Sequence, residues 1–150
     1  MRIFNYLKQF AALALVAMVS GFWFTAYAQV AKIGDEPYET LAAAIAAAQA
    51  GETVTLLADL NMSEILVLDK AITLDGNGKI LTSTAGRAIN VSGADGVTIK
   101  NLTIDAKGER AINVIQNATN VTIDNVTATA ANYTVNVAGS APNAVVAIEN

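Results

Sequence analysis

The sequence predicts an all-β solenoid: short parallel coils stacked on one another and closed at the N-terminal end by a small α-helix. Three observations carry that prediction. Val97-Thr98-Ile99-Lys100-Asn101 returns as Val121-Thr122-Ile123-Asp124-Asn125 and as Val146-Ala147-Ile148-Glu149-Asn150, at offsets of 24 and 25 residues, with Ile72-Thr73-Leu74-Asp75-Gly76 a looser copy 25 residues upstream. A second column, Ile89-Asn90-Val91, Ile112-Asn113-Val114 and Val135-Asn136-Val137, repeats every 23 residues. Between the copies lie turn-forming clusters: Asp75-Gly76-Asn77-Gly78, Ser92 to Gly96, Lys107-Gly108 and Gly139 to Pro142. Two columns in step at a fixed period are the mark of a repeat architecture.

In chain order, residues 1–28 read as a secretory signal peptide. Arg2 and Lys8 supply the positive start, Ala11 to Phe24 the apolar stretch, and Ala26-Tyr27-Ala28 a small-x-small cleavage site before Gln29. The stretch is shorter than the roughly 18–20 residues a membrane span needs. Loss of Arg2 and Lys8 from 9 basic residues leaves 7 against 13 acidic ones, a formal charge of −6. With only Arg87 and Arg110 as arginines after cleavage, the chain is a poor partner for nucleic acid. The absence of Cys leaves no disulfide framework, and the absence of His removes the commonest general base and metal ligand.

Residues 29–57 predict a cap helix and a first strand. Pro37 suits a first helical turn, Asp35, Glu36 and Glu39 suit the positive end of the helix dipole, and the Ala-rich run Tyr38 to Gln49 favours helix. Leu41, Ile45 and Ala48 form its apolar face, Gly51 stands in the terminating position, and Val54–Leu57 is the strand that follows. A solenoid's first coil exposes apolar surface and unpaired strand edges, which such a helix covers.

Residues 58–150 predict the coils. Val97, Ile99, Leu102 and Ile104 point inward and Thr98, Lys100, Thr103 and Asp105 outward, provided a turn at Asn101 reverses the parity by one residue. With no helix between strands, each whole coil is the crossover that parallel pairing demands. Asn101, Asn125 and Asn150 then form a structural ladder, because Asn tolerates left-handed backbone angles and its amide can bond to the same amide one coil away. Gly76 holds that column one coil earlier. Asn150 stands at a corner, so the coil is open there; the expectation is a chain that continues in a longer protein or associates with another chain.

Over roughly residues 32–150 the sequence resembles the right-handed parallel β-helix proteins, the pectin-lyase-like superfold. The opening pattern Tyr38-x-x-Leu41-x-x-x-Ile45-x-x-x-Gln49-x-Gly51-x-x-Val54-x-Leu56 and the segment Ile72 to Gly78 carry the resemblance. It implies right-handed coiling, as does the general hand of parallel crossovers. It further implies an exported bacterial-type protein acting on or near polysaccharide.

The residues offer little catalytic chemistry. Asp75, Lys100, Asp124 and Glu149 form one outward column of interleaved charge, which reads as a solvated face. A glycosidase needs two carboxylates at a defined separation, and Asp75 and Asp124 stand two coils, about 10 Å, apart with Lys100 between them. Asp105 and Arg110 flank a glycine loop and read as a surface turn; Asp75 and Asp95 read as acidic loop residues rather than calcium ligands. Seven sequons, beginning at Asn61, Asn90, Asn101, Asn117, Asn120, Asn125 and Asn132, follow from asparagine corners placed before apolar-Thr strands. Tyr38 and Tyr133 are too few aromatics for a sugar-stacking platform. No catalytic, cofactor-binding or metal-ligating residue is assigned. The expectation is a noncatalytic secreted or cell-surface module with a structural, adhesion or carbohydrate-binding role, its partner a polysaccharide or surface glycan. The alternative is the leading part of a polysaccharide lyase or glycoside hydrolase whose catalytic coils lie beyond residue 150.

Overall fold

A computed structural model describes residues 28–149. The predicted signal peptide, up to Tyr27, and Asn150 lie outside the described residues. The rest folds as a parallel β-solenoid of about four turns, built from strands β1 (Ala31–Ile33), β2 (Glu36–Tyr38), helix α1 (Leu41–Ala47), β3 (Thr53–Leu56), β4 (Leu60–Met62) and β5 (Leu66–Leu68) at its start. The longer coils follow: β6 (Thr73–Ser83) with β7 (Arg87–Ser92), β8 (Thr98–Ala106) with β9 (Arg110–Ile115), and β10 (Val121–Thr129) with β11 (Tyr133–Val137). The last strand is β12 (Val146–Glu149).

The strands form two sheets. Sheet A runs β12-β10-β8-β6-β3-β1-β2, with β4 also on β6, and sheet B runs β11-β9-β7-β5. Coil-to-coil pairing is parallel throughout, and the register superposes the sequence columns. Leu74 pairs with Ile99 and Ile99 with Ile123. On sheet B, Leu66, Ile89, Ile112 and Val135 stack in one row and Leu68, Val91, Val114 and Val137 in the next. These rows fill the core between the sheets. Val97, Ile99, Leu102 and Ile104 are all buried, as the alternation requires, and Asn101 reverses the parity with φ of 51°.

The N-terminal end differs from expectation in three respects. First, Glu36–Tyr38 is a strand, paired antiparallel to β1, which itself pairs antiparallel to β3. This hairpin extends sheet A beyond its first coil, and Pro37 sits on the outermost strand, where a missing N–H breaks no ladder. Second, the helix starts later. Thr40 is its N-cap, accepting from the Ala43 N–H at 3.1 Å, and no acidic residue lies in the first turn. The sequence does carry that signal, since a threonine before an Ala-rich run is a good cap, but the acidic stretch around Pro37 competes with it. Third, the helix stops at Ala47, and Gly51, with φ of 87°, serves the turn into β3 rather than the helix end. Lys70 from the next loop takes the terminating role: its Nζ donates to the carbonyls of Ile45 (2.7 Å), Ala46 (3.0 Å) and Ala48 (2.6 Å). Leu41, Ala44, Ile45 and Ala48 join the core, so the helix does pack over the first coil.

At the opposite end the inward rows become open. Val137 and Ile148 are exposed, Ile148 at 65%. Among the described residues no helix is long and apolar enough to cross a membrane.

Candidate functional site

The asparagine column is where the two sequence copies meet in space. Asn125 Nδ2 donates to Asn101 Oδ1 at 2.9 Å, and Asn101 Nδ2 donates in turn to Asp75 Oδ1 at 3.1 Å. Asn101 and Asn125 have φ of 51° and 49°, the left-handed backbone an asparagine accepts at low cost. Asn150, the third expected rung, lies outside the described residues. The upstream rung is not Gly76. Asp75 pairs with Lys100 and Lys79 with Leu102, so three residues of β6, Gly76 to Gly78, face the single residue Asn101. Asn77 (φ 50°) and Gly78 (φ 71°) carry the left-handed turn. Gly76 is required for a different reason: a Cβ there would lie 2.6 Å from that of Leu102. Asn77 Nδ2 reaches the Leu56 carbonyl at 3.2 Å and so continues the column into the first coil. This ladder is a corner staple, with its amides occupied by one another.

The charged column on sheet A is likewise structural. Asp75, Lys100, Asp124 and Glu149 stand in register, and Lys100 Nζ lies 3.6 Å from Asp75 Oδ2. Asp105 does not meet Arg110. Its carboxylate takes Lys107 at 2.6 Å and Thr129 at 3.3 Å, while Arg110 lies 3.6 Å from Glu109. The hydrogen bond from Lys107, with its charge and the Thr129 hydroxyl, holds the Asp105 carboxyl below the ordinary aspartate range against a small opposing effect of burial. Asp95 accepts from Asn120 Nδ2 at 2.6 Å, and Asp75 from the Asn77 N–H at 2.9 Å. Among the described residues no group of three or more His, Cys, Asp or Glu side chains is placed to hold a metal ion.

The outer face of sheet B carries more distinctive chemistry. Its second column is another ladder: Asn113 Nδ2 donates to Asn90 Oδ1 at 3.0 Å, and Asn136 Nδ2 to Asn113 Oδ1 at 2.7 Å. Asn113 is only 3% exposed although it lies on a strand's outer side. Three residues before Asn90 and Asn113 stand Arg87 and Arg110, paired in register, and Tyr133 follows opposite Arg110 in the next coil. The Arg110 guanidinium carbon sits 5.9 Å from the Tyr133 ring centroid, within cation–π range. A recess of about 400 Å³ opens among Arg87, Arg110, Asn113, Gln116, Asn136 and Ser140. The Nε atoms of both arginines are buried and hydrogen bond to no protein group.

The asparagine column of this face is legible from the sequence repeat, whereas the role of its arginines is not. Their signal is present, since Arg87-Ala88-Ile89-Asn90-Val91 returns as Arg110-Ala111-Ile112-Asn113-Val114 at the 23-residue spacing. A larger recess of about 540 Å³ lies between α1 and β5, but its wall is mainly apolar and its lysine, Lys70, is engaged by the helix carbonyls. The sheet B recess is therefore the candidate site. It is a polar groove crossing three coils, equipped to donate hydrogen bonds and lacking any nucleophile–base pair. Compared with models of protein families, with curated proteins and with solved structures, the chain gives no match.

Proposed function

We propose that this chain is a noncatalytic, exported module of the right-handed, pectin-lyase-like kind, which serves at the cell surface or outside the cell as a rigid glycan-binding element. The observation that carries this reading is the sheet B groove, where Arg87, Arg110, Asn113 and Asn136 converge around a recess about 400 Å³ in volume. A binding function needs a few polar groups held on a stiff frame. Here the frame is a parallel sheet whose outer side chains are locked by amide-to-amide bonds. A hydrolase or lyase needs an acid and a base or nucleophile within reach of one bond, and no carboxylate lines the groove. Export rests on the N-terminal pattern of Arg2, Lys8, the apolar stretch from Ala11 and Ala26-Tyr27-Ala28.

The test is to express the whole chain in a bacterial host, establish the N-terminus of the recovered protein by mass spectrometry, and assay it against immobilised polysaccharides. The expected result is a start at Gln29, retention on at least one polysaccharide without shortening it, and loss of retention in Asn113→Ala and Asn136→Ala. Depolymerisation of the bound polysaccharide would replace this reading with the enzymatic one.

A further inference from the structure

We propose that the sheet B groove is a binding site for a phosphate group, either carried on a surface polymer or free in solution. The inference rests on the reading of this face as a ligand-binding face and names the ligand chemistry.

Arg87 and Arg110 are directly opposite one another on neighbouring parallel strands, about 4.8 Å apart at their backbones. Like charges in that position repel. Nothing in the groove offsets the repulsion. No acidic residue lines it. The one carboxylate near either guanidinium among the described residues is Glu109, 3.6 Å from Arg110 and itself mostly exposed. Both Nε atoms are buried without a protein acceptor. An anion shared between the two guanidinium groups would satisfy the charge and the buried donors together.

The remaining groups specify what kind of anion. Each ladder amide uses one N–H for the next asparagine, leaving the second N–H of Asn113 and Asn136 to donate elsewhere. Ser140 Oγ accepts from the Gln116 backbone N–H at 3.3 Å, so its own O–H is free to donate. The Asn113 carbonyl oxygen is taken by Asn136, and the Gln116 carbonyl oxygen by Ser92 at 2.7 Å. The groove thus offers donors from three successive coils and few open acceptors. A carboxylate is planar and singly charged, and one guanidinium fork satisfies it. Two guanidinium groups with amide and hydroxyl donors on three levels suit a tetrahedral, doubly charged group. Arginine is also the side chain best fitted to phosphate. The chain is otherwise acidic, with a formal charge of −6 after signal removal, so the attraction is local to this groove rather than a property of the whole surface.

The experiment is isothermal titration of the whole recovered protein with inorganic phosphate, sulfate and acetate at matched ionic strength, and with phosphorylated mannan and unmodified mannan. One phosphate per chain is expected, with affinity at least tenfold above sulfate and acetate. It should fall at least tenfold in Arg87→Gln and Arg110→Gln and stay unchanged in Lys100→Gln on sheet A. Arg110→Lys, which keeps the charge and loses the planar fork, should also weaken binding and serves if a glutamine variant does not fold. Binding of phosphorylated mannan through the arginines without binding of free phosphate assigns the site to a polymer-borne phosphate; binding of both equally assigns it to the free ion. Equal affinity for acetate, or phosphate binding indifferent to both arginines, overturns the proposal. Retention of unmodified mannan without any phosphate binding overturns it while leaving the glycan-binding reading intact. Phosphate binding with no glycan bound has the opposite consequence: the phosphate site stands and the glycan reading fails.

Discussion

Asn113 shows how a single residue is held by its stack. It donates to Asn90 and accepts from Asn136 while almost wholly buried. Asn113→Ala leaves an orphaned acceptor on one side and donor on the other, and should cost about 2–3 kcal/mol in denaturant unfolding. Asn101 combines the same two bonds with a positive φ. Asn101→Gly should therefore be less damaging than Asn101→Ala by about 1 kcal/mol, since glycine relieves the backbone while losing the same amide. Equal midpoints for the two variants would refute the left-handed argument. The titration of Asp105 belongs to this scale too. Its folded pKa is lowered, so its contribution to stability is present above the unfolded-state value and is lost as pH falls through the folded one. In an NMR titration it should ionise at lower pH than a free aspartate, and Lys107→Gln should move it upward, because the largest cause of the shift is the Lys107 hydrogen bond.

At the scale of elements, close approach and capping decide which strands and turns can form. Gly108 lies where a Cβ would run into the Ala85 carbonyl oxygen of the preceding coil, and its φ is not in the left-handed region. Gly108→Ala should thus destabilise by about 3 kcal/mol through overpacking against backbone, whereas Gly139→Ala, which meets nothing within 4 Å, should leave thermal unfolding almost unchanged. The helix depends on two loans from outside its seven residues, Thr40 at one end and Lys70 at the other. Lys70→Met should cost about 1–2 kcal/mol, because a charged donor to otherwise open helix carbonyls is removed. Thr40→Ala should cost about 1 kcal/mol.

The molecule as a whole is a one-dimensional stack in which each coil leans on its neighbours. β6 to β9 have coils on both sides, whereas β11 and β12 pair with the solenoid on one side only. Amide hydrogen exchange should therefore be slowest in the second and third coils and fastest in β11 and β12. Uniform protection from β3 to β12 would contradict a stack of locally stabilised coils. The groove on sheet B belongs to this scale as well, since no single coil contains it. Arg87, Arg110 and Asn136 come from three successive strands of that sheet, and only their register brings them to one recess.

The sequence by itself determined the architecture of the coils. Period, inward alternation and the left-handed corners at Asn101 and Asn125 are local consequences of residue type, and stacking at a fixed repeat superposes whatever recurs. The helix was legible in its Ala-rich run and its apolar face, but its ends were not. The competing signals Pro37 and Thr40 are only three residues apart, and an edge strand pairing with β1 claimed the first of them. Gly76 looked like a backbone requirement and proved to be a close approach, a distinction that depends on where Leu102 of the next coil comes to lie. The repeat of Arg87 as Arg110 was equally visible, yet repetition alone did not mark it as a site. Tertiary structure decided that, because burial of both Nε atoms, the absence of a lining carboxylate and the convergence of three coils are properties of distance and solvent exclusion, which no spacing along the chain expresses.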